Sequence, residues 1–347
     1  MPNIFAKRFD WWRIAPITPN LPSTGGELRT RLEDFIVIEV PRYQPNGEGQ
    51  HSYAFIEKRG ISTQELVGYL KTLGVPTRNI GVAGRKDKFA VARQWISVPK
   101  IYESQLTELE AFEGVKILEL SRYQQKLRIE NSLGNRFEIR VRNPSSEWKY
   151  RAQAILNALV DRGLPNYFGP QRFGNQNDNV LEAFRMLEKP KFSIRSRMGK
   201  FLMSSIQSHL FNWTLNSRIK AGLFRKVLKG DWAQKHSTGG MFLVEDSDVE
   251  SRRARALEIS ATLPLHGRKV HCSQGQAGAM QKQILDYFRL SRDAIDSLGS
   301  GTWRISRVPV NDYALDSHID GYSVSFFLPK GSYATILLRE LVQPRPV

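Results

Sequence analysis

The 347-residue chain has a single cysteine, Cys272. An intrachain disulfide and a thiolate zinc cluster are therefore excluded, Cys272 reads as a small buried residue, and a reducing compartment fits. The six histidines, at 51, 209, 236, 266, 271 and 318, include no pair three or four residues apart. That spacing is what a helical metal site needs, so no metal is expected. No segment reaches the roughly 18 apolar residues of a membrane span. The opening Met1-Pro-Asn-Ile-Phe-Ala-Lys-Arg-Phe-Asp-Trp-Trp-Arg13 has no apolar signal core either. The expectation is a cytoplasmic protein with no membrane partner. Acidic residues are scarce too: 34 Asp and Glu stand against 51 Lys and Arg, for a net charge of +17. An excess of this sign points to nucleic acid or another polyanion as partner. Gly299-Ser-Gly301-Thr302 lacks the lysine of a phosphate-binding loop. Glu245-Asp-Ser-Asp248 lacks the glycine and spacing of a calcium loop and reads as a solvated acidic loop. There is no internal repeat and no low-complexity run.

The most informative stretch is Gly81 to Ser97, Gly-Val-Ala-Gly-Arg-Lys-Asp-Lys-Phe-Ala-Val-Ala-Arg-Gln-Trp-Ile-Ser. It surrounds one carboxylate, Asp87, with Arg85, Lys86, Lys88 and Arg93, and Gly81 and Gly84 allow a tight turn before the charges. Nearby cations keep a carboxylate ionised and attract a polyanion, so Asp87 reads as an anionic nucleophile or base in a phosphate-binding setting. By residue type alone, a solvated turn residue reads as well.

Around this stretch the elements follow from local pattern. Residues 1–27 form an irregular arm in which Trp11 and Trp12 could stack on bases or pack on the domain. The runs from Glu33 to Pro41 and from His51 to Glu57 read as strands, pairing antiparallel across the Pro45–Gly49 turn. Ser62-Thr-Gln-Glu65 is a capping box, and Leu66, Tyr69, Leu70 and Leu73 form a helical stripe closed by Gly74. Asp87 then lies on a loop before a strand at Val91–Val98. Arg136 to Arg142 alternates, with Phe137, Ile139 and Val141 on one face and charges on the other. A helix over Arg151–Leu159 precedes a Gly- and aromatic-rich loop, Asn166–Gly174. Lys189–Lys200 is a basic surface stretch, and Leu202, Ile206, Leu210 and Trp213 mark a helix. Residues 230–310 are mixed, with a short strand near 240–244 and a helix near 277–290. Tyr322–Leu328 is a strand whose return completes the first domain's sheet, and Ser332 caps a helix running to about Val342.

Val82-Ala-Gly-Arg-Lys-Asp-Lys-Phe-Ala-Val-Ala-Arg-Gln-Trp95 closely resembles the signature of the TruD family of tRNA pseudouridine synthases. Further likenesses follow in order: Arg31-Leu-Glu-Asp-Phe-Ile-Val-Ile-Glu39, Asn46-Gly-Glu-Gly-Gln-His51, Gly134-Asn-Arg-Phe137, Pro165-Asn-Tyr-Phe-Gly-Pro-Gln-Arg-Phe-Gly174 and Leu328-Pro-Lys-Gly-Ser-Tyr-Ala-Thr335. Leu32 stands where the family usually has proline, and residues 225–310 match weakly. The resemblance implies an α/β (α+β) fold: a pseudouridine-synthase domain with a mixed, mainly antiparallel sheet, from 1–165 and 308–347, plus a TRUD insertion domain over 166–307. It implies that a uridine of tRNA, position 13, is isomerised to pseudouridine without a cofactor, by a monomer. It assigns Asp87 as the nucleophile, Phe137 as the residue packing against the base, and Asn135 as the one ordering the loop. Lys86 and Arg29 become candidates for holding phosphate or keeping Asp87 ionised. The alternatives are a non-catalytic RNA-binding protein and a pseudouridine synthase for another RNA.

Overall fold

The computed structural model describes residues 13–174, 178–187 and 196–343. Trp11, Trp12 and residues 189–195 of the basic stretch lie outside the described residues. The chain divides into two compact units: Thr24–Trp148 with Val310–Gly331, and Met1–Ser23 with Lys149–Pro309 and Ser332–Val347. These limits differ from the domain limits read from the sequence. Residues 149–165 join the second unit because helix Trp148–Arg162 leads into Leu164–Pro165, which pairs antiparallel with Arg307–Val308. Helix Ala334–Val342 joins it through buried Glu340, which accepts hydrogen bonds from the Ile17 and Thr18 amides at 3.1 Å and the Thr18 hydroxyl at 2.5 Å.

The first unit is built on one mixed sheet. Its long strands are β1 (Phe35–Pro41), β2 (His51–Arg59), β3 (Val91–Pro99), β4 (Val115–Tyr123), β5 (Ser132–Arg142), β6 (Asn311–His318) and β7 (Gly321–Pro329). They lie in the order β6-β7-β5-β1-β3-β2-β4. Every neighbouring pair is antiparallel except β1 with β3, which is parallel. The expected pairing of β1 with β2 is thus not made, because β3 inserts between them. Val91–Pro99 is buried along nearly its whole length, which suits a central strand covered on both faces. β7 does return to the sheet, between β5 and β6. β6 is an exposed edge with no core-facing run, which is why the sequence shows no sign of it.

Alternation sets the faces. β2 turns Ala54 and Ile56 to one side, where α1 (Thr63–Thr72) covers them with Leu66 and Leu70. Burying each leucine fully contributes about 2 kcal/mol. The helix starts as its sequence predicts, with the Ser62 hydroxyl accepting from the Glu65 amide at 3.1 Å and Glu65 returning to the Ser62 amide at 2.7 Å. Gly74, at φ +90°, ends it. On β5, Phe137, Ile139 and Val141 are buried as expected. From the other face Arg142 forks onto Asp34 at 2.7–3.0 Å and also bonds Asp320. Burial alone would raise the Asp34 carboxyl, but bonds from Arg142, Thr30 and the Arg31 amide hold it at about 2. This clamp fixes the 30–34 segment against β5.

In the second unit, Met241–Leu243, Trp232–Lys235, Ile259–Leu265 and Thr302–Ile305 form an antiparallel sheet in that order. The predicted stripe of Leu202, Ile206 and Leu210 is buried within helix Arg197–Lys220. The strand near 240–244 and the helix Gly275–Tyr287 also match expectation. The acidic run is not a free loop: Asp246 caps helix Ser247–Arg255, accepting from the amides of Asp248 at 2.8 Å and Val249 at 3.3 Å. Nor does Ser332 cap the last helix, since Tyr333 occupies that position without a side-chain bond. The 166–174 loop buries Tyr167, Phe168 and Phe173 within this unit, with the Arg304 guanidinium 4.1 Å from the Phe168 ring.

Candidate active site

Sheet register gathers the candidate site on one face of the first unit. Glu39 of β1 lies opposite Asn135 of β5, and Val37 opposite Phe137. Val37 also lies level with Ala92 of β3, which pairs with Lys58 of β2, while Gln94 pairs with Ile56. Period-two alternation therefore points Glu39, Asn135, Phe137, Gln94 and Lys58 to the same side, the side that α1 covers.

The Asp87 loop is anchored on this face. It leaves the short strand Gly81–Val82, which pairs with Ile96 and Ser97. A side chain at Gly81 would place its Cβ 2.3 Å from Ser97 Oγ, so that glycine serves close packing. Neither Gly81 nor Gly84 is left-handed, which corrects the tight-turn expectation. Lys86 is buried; its Nζ donates to Glu39 Oε2 at 3.0 Å and to Asn135 Oδ1 at 2.6 Å. Its backbone amide donates to Thr63 Oγ1 at 2.8 Å, and that hydroxyl donates onward to Gln94 Oε1 at 2.9 Å. The other Glu39 oxygen accepts from the Trp95 amide at 3.3 Å. On the far side of the Asp87 Cα, Lys58 Nζ donates to the Asp87 carbonyl at 2.8 Å and to the Ile61 carbonyl. Backbone on both sides of the Asp87 Cα is thus held by buried partners, while its carboxylate side chain is 40% exposed.

The cation beside that carboxylate comes from elsewhere in the sequence. Arg29 Nη2 stands 3.7 Å from Asp87 Oδ2, and its guanidinium lies 4.2 Å over the Phe35 ring. Arg29 sits at φ +58°, a left-handed conformation that costs a non-glycine residue about 1 kcal/mol. Three of the four local cations are engaged elsewhere, and the fourth, Arg85, is exposed. Lys86 is taken by Glu39, Lys88 bonds Glu65 at 2.7 Å, and Arg93 bonds Glu57 at 2.9 Å.

Phe137 is 6% exposed and lies within β5, not at its start. Phe326 stacks on it at 5.4 Å and Phe35 meets it edge-on at 6.3 Å. It thus packs against the Phe35 ring that Arg29 covers. Phe89, two residues beyond Asp87, presents a ring that is 71% exposed.

All five predicted residues lie in this unit: Lys86 bridges to Asn135, Arg29 reaches Asp87, and Phe137 lies beneath. Sequence reasoning passed over Glu39, Lys58, Thr63, Gln94 and Phe89. Two left a readable signal. Glu39 is in phase with Phe35 and Val37, and Lys58 with Ala54 and Ile56, so each strand places a charge at a core-facing position. Burial pushes the Lys58 ammonium down to about 8; the charges of Asp87 and Glu65 oppose that shift and Lys86 adds to it.

A family model described as tRNA pseudouridine synthase D (TruD) matches residues 14–189 and 176–341. A protein named tRNA pseudouridine synthase D from Thermus thermophilus is 44% identical over 328 residues, covering 94% of this chain and 91% of its own length. Its namesake from Anaeromyxobacter sp. is 40% identical, covering 94% of this chain and 95% of its own. A crystal structure assigned to tRNA pseudouridine synthase D from Methanosarcina mazei superposes with a TM-score of 0.72 at 22% identity, over 96% of each chain. That likeness supports the mixed, mainly antiparallel α/β fold described above.

Proposed function

The chain belongs to the tRNA pseudouridine synthase D (TruD) family, a family of isomerases, and on that premise we propose that it converts one uridine of tRNA, at position 13, to pseudouridine with Asp87 as nucleophile. The observation that carries this reading is a half-exposed carboxylate whose backbone is pinned on both sides by buried bonds and whose oxygen faces Arg29. A nucleophile held in this way loses little freedom when the substrate arrives.

In the proposed reaction the Asp87 carboxylate attacks the uridine at C1′ or C6, and the N1–C1′ bond breaks. The uracil turns, C5 bonds to C1′, the C5 hydrogen leaves as a proton while N1 takes one up, and the carboxylate departs unchanged. Atoms balance without oxidant, reductant or cofactor. The target must leave its stack, at a cost of a few kcal/mol that aromatic and phosphate contacts offset. Phe137 and Phe35 form the apolar floor, Phe89 offers an open stacking face, and Arg29 pairs with Asp87 or a neighbouring phosphate. Lys86 and Asn135 order the loop and do not meet the phosphate. The unit that carries Asp87 is the catalytic domain, and the TRUD insertion lies within the other unit. Among the described residues no helix is long and apolar enough to cross a membrane. The protein acts in this reading as a cytoplasmic monomer, and its +17 charge serves RNA binding.

Incubating the protein with unmodified tRNA transcripts and mapping pseudouridine by reverse-transcription stops after carbodiimide treatment tests the substrate. A stop confined to the thirteenth nucleotide is expected. Modification at another position, or only in messenger or ribosomal RNA, would overturn the assignment, and binding without modification would favour an RNA-binding protein.

A further inference from the structure

We propose that Lys58 is a positioning residue for the reaction at Asp87: a buried ammonium that fixes the nucleophile loop through its backbone and brings a fixed positive charge to that loop. The inference rests on the reading of Asp87 as nucleophile.

Lys58 has no solvent-exposed surface. Its Nζ donates to the carbonyl of Asp87 at 2.8 Å and to that of Ile61, the residue before the Ser62 cap of α1. One ammonium thus joins the start of α1 to the loop that carries the carboxylate. Taking a cation out of water costs several kcal/mol, and two carbonyl dipoles offset only part of it. Packing gives no reason for that cost, since Ile56, two residues earlier on the same face of β2, fills its place with hydrocarbon alone. What Lys58 adds is a positive charge, itself shielded from water, bonded to the backbone of Asp87. A charge fixed there favours the free carboxylate over its covalent adduct, so it speeds the departure of Asp87 from the substrate, while the bond to the loop backbone serves the attack.

The charged groups acting on Lys58 are Asp87 and Lys86 on the loop and Glu65 on α1; with burial they leave it titrating at about 8, against 10.5 for a free lysine. Below that folded value the charge is in place. Between about 8 and 10.5 the folded protein gives up a proton that the unfolded chain keeps, so in this window the group's contribution to folding stability rises with pH. Over the same window the charge beside Asp87 disappears. Activity and stability therefore respond to this one titration in opposite directions, which a lysine that merely held the fold together would not produce.

The test measures tritium release from [5-³H]uridine-labelled tRNA, with melting temperature, from about pH 6 to about pH 10 for the native protein, Lys58→Met and Lys58→Gln. Native kcat is expected to fall about tenfold per pH unit above the Lys58 titration. Lys58→Met should lower kcat at neutral pH about 100-fold with KM changed less than about threefold, and should show no break near pH 8. Lys58→Gln keeps a donor without the charge; it should recover part of kcat and also lack the break. A break that persists in folded variants, or a loss of rate that equals the unfolded fraction, would overturn the proposal. No release by the native protein at any pH would overturn the reading of Asp87 itself, and the inference with it.

Discussion

Each compact unit buries a cation against a carboxylate, and the two pairs differ in what they hold. In the second unit Arg218 forks onto Asp231 at 2.8 and 3.0 Å, and the pair also bonds the Lys226 carbonyl and the Leu228 amide. Everything it touches is framework between helix Arg197–Lys220 and strand Trp232–Lys235. In the first unit Lys86 meets Glu39 at 3.0 Å, and the next residue is the half-exposed Asp87. A buried ion pair is weak evidence of net stabilisation, because desolvation cancels much of the attraction. The framework pair is accounted for by register between elements. The Lys86 pair, with the bonds to Thr63 and Lys58, holds the loop that carries Asp87, and in the proposed reading it serves the placement of that carboxylate.

Breaking the two pairs separately tests that contrast. Glu39→Gln leaves Lys86 buried and uncompensated, which is expected to cost about 3 kcal/mol of stability and, in the protein that remains folded, about 100-fold in kcat. Arg218→Met, which strands Asp231, is expected to cost a similar ~3 kcal/mol with kcat of the folded protein within about twofold. Urea unfolding and single-turnover kinetics on both variants check this, and equal kcat losses would erase the distinction. Phe89→Ala sharpens it from the substrate side. An exposed ring contributes nothing to the core, so stability should hold while KM for tRNA rises about fivefold, the value of roughly 1 kcal/mol of stacking. An unchanged KM would remove Phe89 from the site.

Those same residues show why some parts of the molecule were legible in the sequence. α1 was readable because its start, stripe and stop are local: Ser62, Glu65, Leu66, Leu70 and Gly74 lie within a few turns of chain. The Asp87 loop was readable through its wording. The partners that hold it were not, because Glu39, Lys58 and Asn135 reach Lys86 or Asp87 across 29 to 49 residues of sequence through sheet register. Register also decided the β1–β3 parallel pairing, which local alternation does not specify. Nearness in sequence misled at two of the cations: Lys88 and Arg93 flank Asp87 but bond Glu65 and Glu57, while Arg29, 58 residues away, stands 3.7 Å from its carboxylate. In the second unit the strands are short, and their pairings, such as Ile259–Leu265 with Thr302–Ile305, span long stretches of chain. No local motif announces them.

The central claim is that Asp87 is the nucleophile of a uridine isomerisation. Forming the C5–C1′ bond expels the C5 hydrogen, so the decisive measurement is tritium release from [5-³H]uridine-labelled unmodified tRNA by the native protein and by Asp87→Asn, with folding and tRNA binding checked in parallel. Release by the native protein and none by a folded, tRNA-binding Asp87→Asn is the result predicted here. Release by both at comparable rates would contradict the assignment of Asp87.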